Sequence, residues 1–244
     1  MPVWWPSSTT WIQRLVTCSS APVGRWPRTS RNTPEPGRSE PGCPMTVADA
    51  LRDRRSCRSF ADRPLAPGRV DGLVDRARRT PTAGNCQGVE FLVLESGEVA
   101  AYWDTTLSAD RRDDFPWPGL LVAPALVVPW GIPDRYVARY AEADKARTGL
   151  GDSAGDWSVP YWLTDAAFAA MALQMLAVEE GLGCCFFGLF DHEAAVAARF
   201  GVPDGARAVG TIAIGHPDPL ADRQSGSVDR RRRPLGEVLH RGTW

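Results

Sequence analysis

The chain has 244 residues, of which 43% are hydrophobic, so it can bury the core of one large domain or of two small ones. Its 28 basic and 29 acidic residues leave a formal net charge of -1, which argues against a nucleic acid or an acidic membrane surface as partner. The six cysteines form no Cys-x-x-Cys pair and the three histidines are scattered, which argues against a structural zinc site.

Residues 1–44 differ in composition from the rest of the chain. They are rich in Pro, Ser, Thr, Arg and Trp and show neither helical nor strand periodicity, so they bury too little apolar surface to offset chain entropy. We predict a disordered extension here, with Met45 as a candidate for the real start of translation. The extension also lacks the continuous apolar stretch of a secretion signal, and no apolar run approaches the roughly 18 residues that span a bilayer. These observations predict a cytoplasmic protein without a membrane partner.

From Met45 onward the sequence shows regular patterns of apolar residues. A short amphipathic helix is predicted over 47–53. Pro67 suits the first turn of a second helix. The apolar positions of this second helix share one face at helical spacing: Val70, Leu73, Val74 and Ala77. Two short apolar strands are predicted next, over 91–94 and 125–128.

The second half of the chain is predicted to be mainly helical. A helix is expected over 133–145, and another over 191–200, capped by its first residue. A helix is predicted over 165–180, where Gln174 is the one polar residue between Ala166 and Val178. A helix that is apolar nearly all round must be buried on all sides. A last strand is predicted over 208–215. Helices and isolated strands in this order predict one α+β domain over 45–244 with a central sheet.

Basic and hydroxyl groups are concentrated over 54–58. Arg54, Arg55 and Arg58 offer planar, two-pronged donors that match phosphate oxygens. Ser56 adds a hydroxyl donor among them. An arginine run alone is more typical of a solvated surface, so the phosphate interpretation depends on the motifs that follow.

Several well-known catalytic signatures are absent from the sequence. It contains no Gly-x-Ser-x-Gly elbow, no His-Glu-x-x-His, no Walker A motif and no Rossmann fingerprint. These absences argue against hydrolysis by side chains. They favour a reaction carried by a bound cofactor, for which the protein supplies position and electrostatics.

Three further motifs follow the 54–58 cluster, at 81–87, 181–191 and 230–235. In this order and spacing the chain resembles the FMN-dependent nitroreductase family over roughly 45–244. The resemblance implies an α+β, nitroreductase-like fold with a central mixed or antiparallel sheet flanked by helices. It also implies a homodimer with exchanged terminal segments and two FMN sites at the subunit interface.

The resemblance implies a role for the first two motifs. The 54–58 segment would grip the FMN phosphate and ribityl chain. The 81–87 loop would meet the flavin ring from the other subunit, with Asn85 close to the ring and Thr82 and Gln87 beside it. Gly88 and Val89 replace the family's Pro-Trp here. An ordinary turn is the alternative, since Pro, Thr, Gly and Asn all favour turns.

The third and fourth motifs would complete the site. Backbone N–H groups near Gly188 and Leu189 would face flavin N5 and O4, with Phe187 next to them. A strand-to-helix loop without a ligand is the alternative. Arg230 and Arg232 would close over the phosphate, although the four successive arginines leave the register open by one position. A solvated tail explains the same run.

The implied activity is a ping-pong reaction. NADH or NADPH would pass a hydride to FMN, and a nitroaromatic, quinone or similar small acceptor would then be reduced. Independently, the apolar segment 165–180 suits a core shared by two subunits. One rival is a specialised enzyme of the same superfamily, with chemistry such as dehalogenation or flavin destruction. Another is a flavin-binding protein without turnover, with aromatic residues at 115–117 and 157–162 as a lid. A protein without flavin is a third.

Overall fold

The computed structural model describes residues 45–222, Gly226 and 230–244, so the predicted extension over 1–44 lies outside the described residues. The described part forms six α-helices and five β-strands. The helices are α1 (Val47–Asp53), α2 (Arg69–Ala77), α3 (Gly97–Thr106), α4 (Pro133–Tyr140), α5 (Tyr161–Glu179) and α6 (Glu193–Phe200). The strands are β1 (Val89–Glu95), β2 (Ala125–Gly131), β3 (Gly183–Phe187), β4 (Arg207–Ala208) and β5 (Thr211–Gly215).

The five strands form one sheet in the order β1-β2-β5-β3, with β4 paired to β2. All neighbouring strands are antiparallel. The prediction of an α+β fold with a central sheet is therefore confirmed, and the sheet is antiparallel. Parallel pairing occurs in the described residues as an isolated bridge between Ser56 and Cys184.

Hydrophobic layers cover both faces of the sheet, as the alternation of β2 shows. Val127 packs with α2 and α5 on one face, whereas Val128 packs with α3 on the other. Both side chains are fully buried. Successive side chains of a strand point to opposite faces, so a central strand covered on both faces is apolar at every position.

Helix α5 starts four residues before the predicted boundary, at Tyr161, and its packing differs between its two sides. Leu173 is 0% exposed and packs on the sheet, whereas Phe168 is 49% and Met171 39% exposed. The prediction that this helix is buried on all sides is therefore wrong for a single chain, because one apolar face has no cover. The helix is long and apolar enough to cross a membrane, but 44% of that stretch is buried in the described fold.

Three other predicted boundaries need correction. Helix α4 ends at Tyr140 rather than at residue 145, because the residues that follow are exposed and have no apolar packing. Asp191 does not cap α6, since a short 3-10 turn precedes it and His192 occupies the cap position without a side-chain bond. The last strand is split between Ala208 and Thr211.

Gly210 lies in this interruption, with φ of +146°. A Cβ there would lie 2.6 Å from the Phe186 ring and 2.6 Å from the Phe187 carbonyl oxygen. We expect Gly210→Ala to lower the free energy of unfolding by about 1–3 kcal/mol, the usual cost of such backbone strain, as measured by urea denaturation. Gly72→Ala is the control, because a Cβ inside α2 meets nothing within 4 Å and alanine favours helices. Equal losses in the two variants would contradict this account.

Candidate active site

An aromatic pocket of about 350 Å³ lies where β3 ends. Its walls come from α3, from the segment 107–120 and from the loop after β3. The residues that define it here are Arg58, Trp103, Phe115, Trp117, Phe187 and Leu189. The pocket therefore brings together one arginine of the first sequence motif and the central residues of the third.

The pocket walls are mostly aromatic rings. Trp103 stacks on Phe187, with ring centroids 5.7 Å apart and planes 14° apart. Phe115 lies 6.4 Å from Trp103, and the Arg58 guanidinium lies 4.9 Å from the Trp117 ring centroid. The Trp103 indole N–H is buried and has no acceptor among the described residues. Buried donors are normally hydrogen-bonded, so this one could serve a ligand acceptor.

The loop after β3 positions the residues of the third motif. Phe190 has φ of 49°, and its ring lies over Gly188, where a Cβ would come within 3.1 Å of it. Leu189 anchors the loop in the core and is 5% exposed. A glycine under the Phe190 ring keeps the backbone close to the pocket. Gly188 and Leu189 thus line the pocket.

The 54–58 segment runs along the outer edge of β3. The Cys57 N–H donates to the Cys184 carbonyl at 2.9 Å, and the Arg58 N–H donates to Asp222 Oδ1 at 3.1 Å. Burial raises the pKa of the Cys184 thiol to about 12, and the nearby Arg54 charge opposes that rise. Arg54 therefore lies at the same edge of the sheet as Arg58.

The arginines of this segment differ in exposure. None of the three forms an ion pair with a described carboxylate. The Arg58 guanidinium donates to the Ser56 carbonyl oxygen at 3.3 Å. The Arg55 side chain is exposed and donates to the carbonyl oxygens of Arg52 and Arg54. Ser56 is half-buried. Arg54 and Arg58 are half-buried and Arg58 lines the pocket, so these two are the better candidates for binding an anion.

The loop that carries Thr82, Asn85 and Gln87 lies at the other edge of the sheet. It precedes β1, and two strands separate β1 from β3. β1 and β3 are therefore three strand spacings apart, which is about 14 Å. Asn85 and Gln87 are exposed. A single chain therefore does not bring this loop to the aromatic pocket.

Arg230 and Arg232 are exposed and do not line the pocket. All the residues over 230–244 are exposed as well. Within this chain, the fourth motif therefore does not reach the pocket that residues of the first and third motifs line.

Sequence reasoning missed the contribution of α3 to the pocket. Its buried residues Val99, Tyr102 and Trp103 have i, i+3, i+4 spacing, which was the available signal. The aromatic residues at 115–117 do reach the pocket. Those at 157–162 pack elsewhere, with the Trp157 and Trp162 rings 5.9 Å and 6.1 Å from Tyr136.

Buried cysteines near the site should react slowly with alkylating agents. Burial raises the pKa of Cys57 to about 11, and it raises the pKa of Cys185 as well. Because the thiolate is the reactive form, Cys57 and Cys184 stay neutral at pH 8 and their alkylation should accelerate only as the pH rises toward 11. Half-buried Cys86 should be labelled before them, as read by peptide mapping. Rapid labelling of Cys184 in the folded protein at pH 8 would contradict this burial.

Residues 51–216 match the family model described as Nitroreductase family. This match covers well over half of the chain. The chain belongs to the nitroreductase family. Membership places it in a superfamily of flavin oxidoreductases.

Solved structures show the same fold. A nitroreductase family protein from Streptococcus pneumoniae TIGR4 has a TM-score of 0.60 and 19% identity, covering 80% of this chain and 100% of that one. A nitroreductase-like protein from Bacillus cereus has a TM-score of 0.58 and 20% identity, covering 80% of this chain and 95% of that one. At these identities the likeness concerns the fold alone.

One curated relative matches over a short stretch. It is the iodotyrosine dehalogenase 1 homolog of Caenorhabditis elegans, 31% identical over 67 residues. The match covers 28% of this chain and 21% of that protein, so the chain spans about a fifth of the relative's length.

Proposed function

We propose that this nitroreductase-family protein is an FMN-dependent oxidoreductase. It takes a hydride from NADH or NADPH and passes it to a nitroaromatic, quinone or similar small acceptor in a ping-pong cycle. The observation that carries the proposal is the aromatic pocket at the end of β3, which Arg58 and the residues 187–189 line together. An apolar pocket with a few convergent polar groups is typical of a cofactor site.

The residues present fit FMN. Arg54 and Arg58 offer cations to the phosphate dianion, and Ser56 offers a hydroxyl. The aromatic walls suit a planar ring, and the unpaired Trp103 N–H suits one of its acceptors. When bound, FMN supplies the hydride chemistry that side chains cannot.

The protein's own groups then bind, orient and exclude water. The backbone near Gly188 would orient the bound ring, and the aromatic walls of the pocket would limit its contact with water. Holding two planar reactants in near-attack geometry lowers the barrier without a catalytic acid. Arg230 and Arg232 of the exposed tail are proposed to close over the phosphate.

We propose a homodimer that completes two such sites. The exposed apolar face of α5, with Phe168 and Met171, continues with exposed Val47 and Leu51 on α1. Large exposed apolar patches mark interaction surfaces. The second copy would also bring Thr82, Asn85 and Gln87 to the flavin, which the distance across one sheet prevents within a single chain.

Steady-state oxidation of NADH and of NADPH, with menadione or a nitrofuran as acceptor, tests the activity. Turnover that depends on both substrates, with parallel double-reciprocal plots, is the expected result. Bound flavin without any turnover would favour the lidded, non-catalytic form, for which Phe115 and Trp117 in the pocket wall are the supporting observation. Iodide release from iodotyrosine in place of acceptor reduction would favour a dehalogenase.

We further propose that residues 45–244 form a self-sufficient domain and that the protein is cytoplasmic. A chain beginning at Met45 should fold and hold FMN as the full chain does, because the first 44 residues carry no periodic apolar set. Far-UV circular dichroism and flavin absorbance compare the two. Loss of FMN binding in the shorter chain would contradict the proposed boundary.

A further inference from the structure

The 82–87 loop is held in an unusual backbone conformation. Asn85 has φ of 54° and Gln87 has φ of 50°, both in the left-handed region. Asparagine tolerates that region through local hydrogen bonds, but glutamine does so less well. Such conformations persist where the surrounding structure holds them, and they cluster at ligand sites. Both side chains are exposed, so the strained residues face away from their own chain.

A buried carboxylate on α5 holds this loop from beneath. Asp165 is 2% exposed. Its Oδ2 atom accepts the Ala83 N–H at 2.8 Å and the Tyr136 hydroxyl at 2.9 Å. No described lysine or arginine forms an ion pair with Asp165. Burial and the bond to Asp165 raise the pKa of Tyr136, so its phenol remains a donor.

Two further hydrogen bonds complete the support. The Arg139 Nε–H of α4 donates to the Gly84 carbonyl at 2.9 Å. The Gln87 N–H donates to Thr82 Oγ1 at 3.0 Å. Helices α4 and α5 thus hold the backbone before Asn85, and a bond within the loop holds it after Asn85, while the Asn85 side chain stays exposed.

We propose that Asp165 is a positioning residue of the flavin site, which presets the loop that offers Asn85 and Gln87 to FMN in the partner subunit. This inference rests on the proposed FMN-binding function. A loop ordered during folding loses little further freedom when the ligand binds, so affinity is higher than with a loose loop. Supporting hydrogen bonds of this kind decide how accurately a binding group is held.

Two variants remove the bond between Asp165 and the loop by independent routes. Asp165→Asn removes the charge and keeps the shape. Ala83→Pro removes the donor N–H and puts the proline Cδ in its place against Asp165 Oδ2, so the bond cannot form. Proline is tolerated at the first position of a helix, and the preceding Thr82 has the extended backbone, with φ of -127° and ψ of 147°, that proline requires. Tyr136→Phe is the matched control, because it removes the other donor to the same oxygen and leaves the loop bond intact.

We expect both loop variants to remain dimeric and to weaken FMN binding about tenfold or more, with faster amide exchange at Cys86 and Gln87 in FMN-free protein. Tyr136→Phe should change FMN affinity by less than about threefold. Equal FMN affinity and equal loop exchange in Ala83→Pro and the parent would overturn the positioning role. The positioning role would also be overturned if FMN affinity fell in proportion to the melting temperature in all three variants, because the loss would then reflect stability alone. If Asp165→Asn does not fold, Ala83→Pro alone decides.

The two proposals fail in distinguishable ways. A parent protein that binds no FMN overturns the proposed function, and with it the flavin role of Asp165. A parent that binds FMN, beside an Ala83→Pro variant that binds it equally well, overturns the positioning role alone.

Discussion

Met171→Arg is expected to convert the protein from dimers into monomers that have lost most of their FMN. Met171 lies on the exposed apolar face of α5 and is 39% exposed in the single chain. In the proposed dimer this face is covered, so the substitution would bury an unpaired charge there, which is costly. Because Thr82, Asn85 and Gln87 come from the second subunit, the loss of the dimer should remove part of each flavin site.

Two variants separate this effect from simple unfolding. Leu173→Arg lies on the opposite side of the same helix, is fully buried against the sheet and should unfold the domain. Ala195→Arg, on the exposed side of α6, should leave both dimer and flavin intact. Sedimentation velocity, followed at protein and flavin wavelengths together, measures the oligomeric state and the flavin occupancy of each variant. A Met171→Arg monomer with full FMN occupancy would contradict the shared site.

Arg54→Ala and Arg58→Ala are expected to weaken FMN binding by about one to two decades. Each would remove a charge-assisted hydrogen bond to a dianion, and such bonds contribute about 1.5–3 kcal/mol. Riboflavin lacks the phosphate, so its affinity should be about equal in the variants and the parent. Arg55→Ala is the control, because the Arg55 side chain is exposed, lies outside the pocket and donates to the carbonyl oxygens of Arg52 and Arg54.

Fluorescence titration of the apoprotein with FMN and with riboflavin measures these affinities. Unchanged FMN affinity in Arg54→Ala would show that the phosphate assignment is wrong. Equal losses for FMN and riboflavin would place the effect on the ring or on the fold rather than on the phosphate.

Helix periodicity and apolar runs predicted much of the fold from the sequence. The segment 47–53 is helical as predicted, and the strands around 91–94 and 125–128 are present in slightly longer form. Their patterns are local, so they are visible without tertiary information. Strand β3 was not predicted, because glycine, cysteine and phenylalanine over 183–187 form no period and its pairing with β5 is a tertiary contact.

Helix α5 shows why a local pattern is not sufficient. Its apolar residues surround the helix, so the sequence contains no signal for which face meets the sheet. The structure separates buried Leu173 from exposed Met171. The position of the sheet beneath the helix determines which apolar face is buried. The exposed face is therefore the one to substitute in a test of the interface.

For the candidate site, the order of the motifs predicted four segments, of which the first and third contribute residues to one pocket within this chain. Arg58 and Leu189 share a pocket, whereas Asn85 lies at the opposite edge of the sheet. Trp103 and Asp165 were not predicted as site residues. Trp103 belongs to a helix that the sequence reading missed, and Asp165 acts through a hydrogen bond between residues 82 positions apart. The roles of all these residues toward FMN remain predictions.

The most direct test of this account is the identity and amount of flavin bound to the purified full-length protein. The account predicts a yellow protein that releases FMN on denaturation, identified by mass spectrometry, in an amount equal to that of the chain once the apoprotein has been saturated. A colourless protein that takes up no FMN on titration would contradict it.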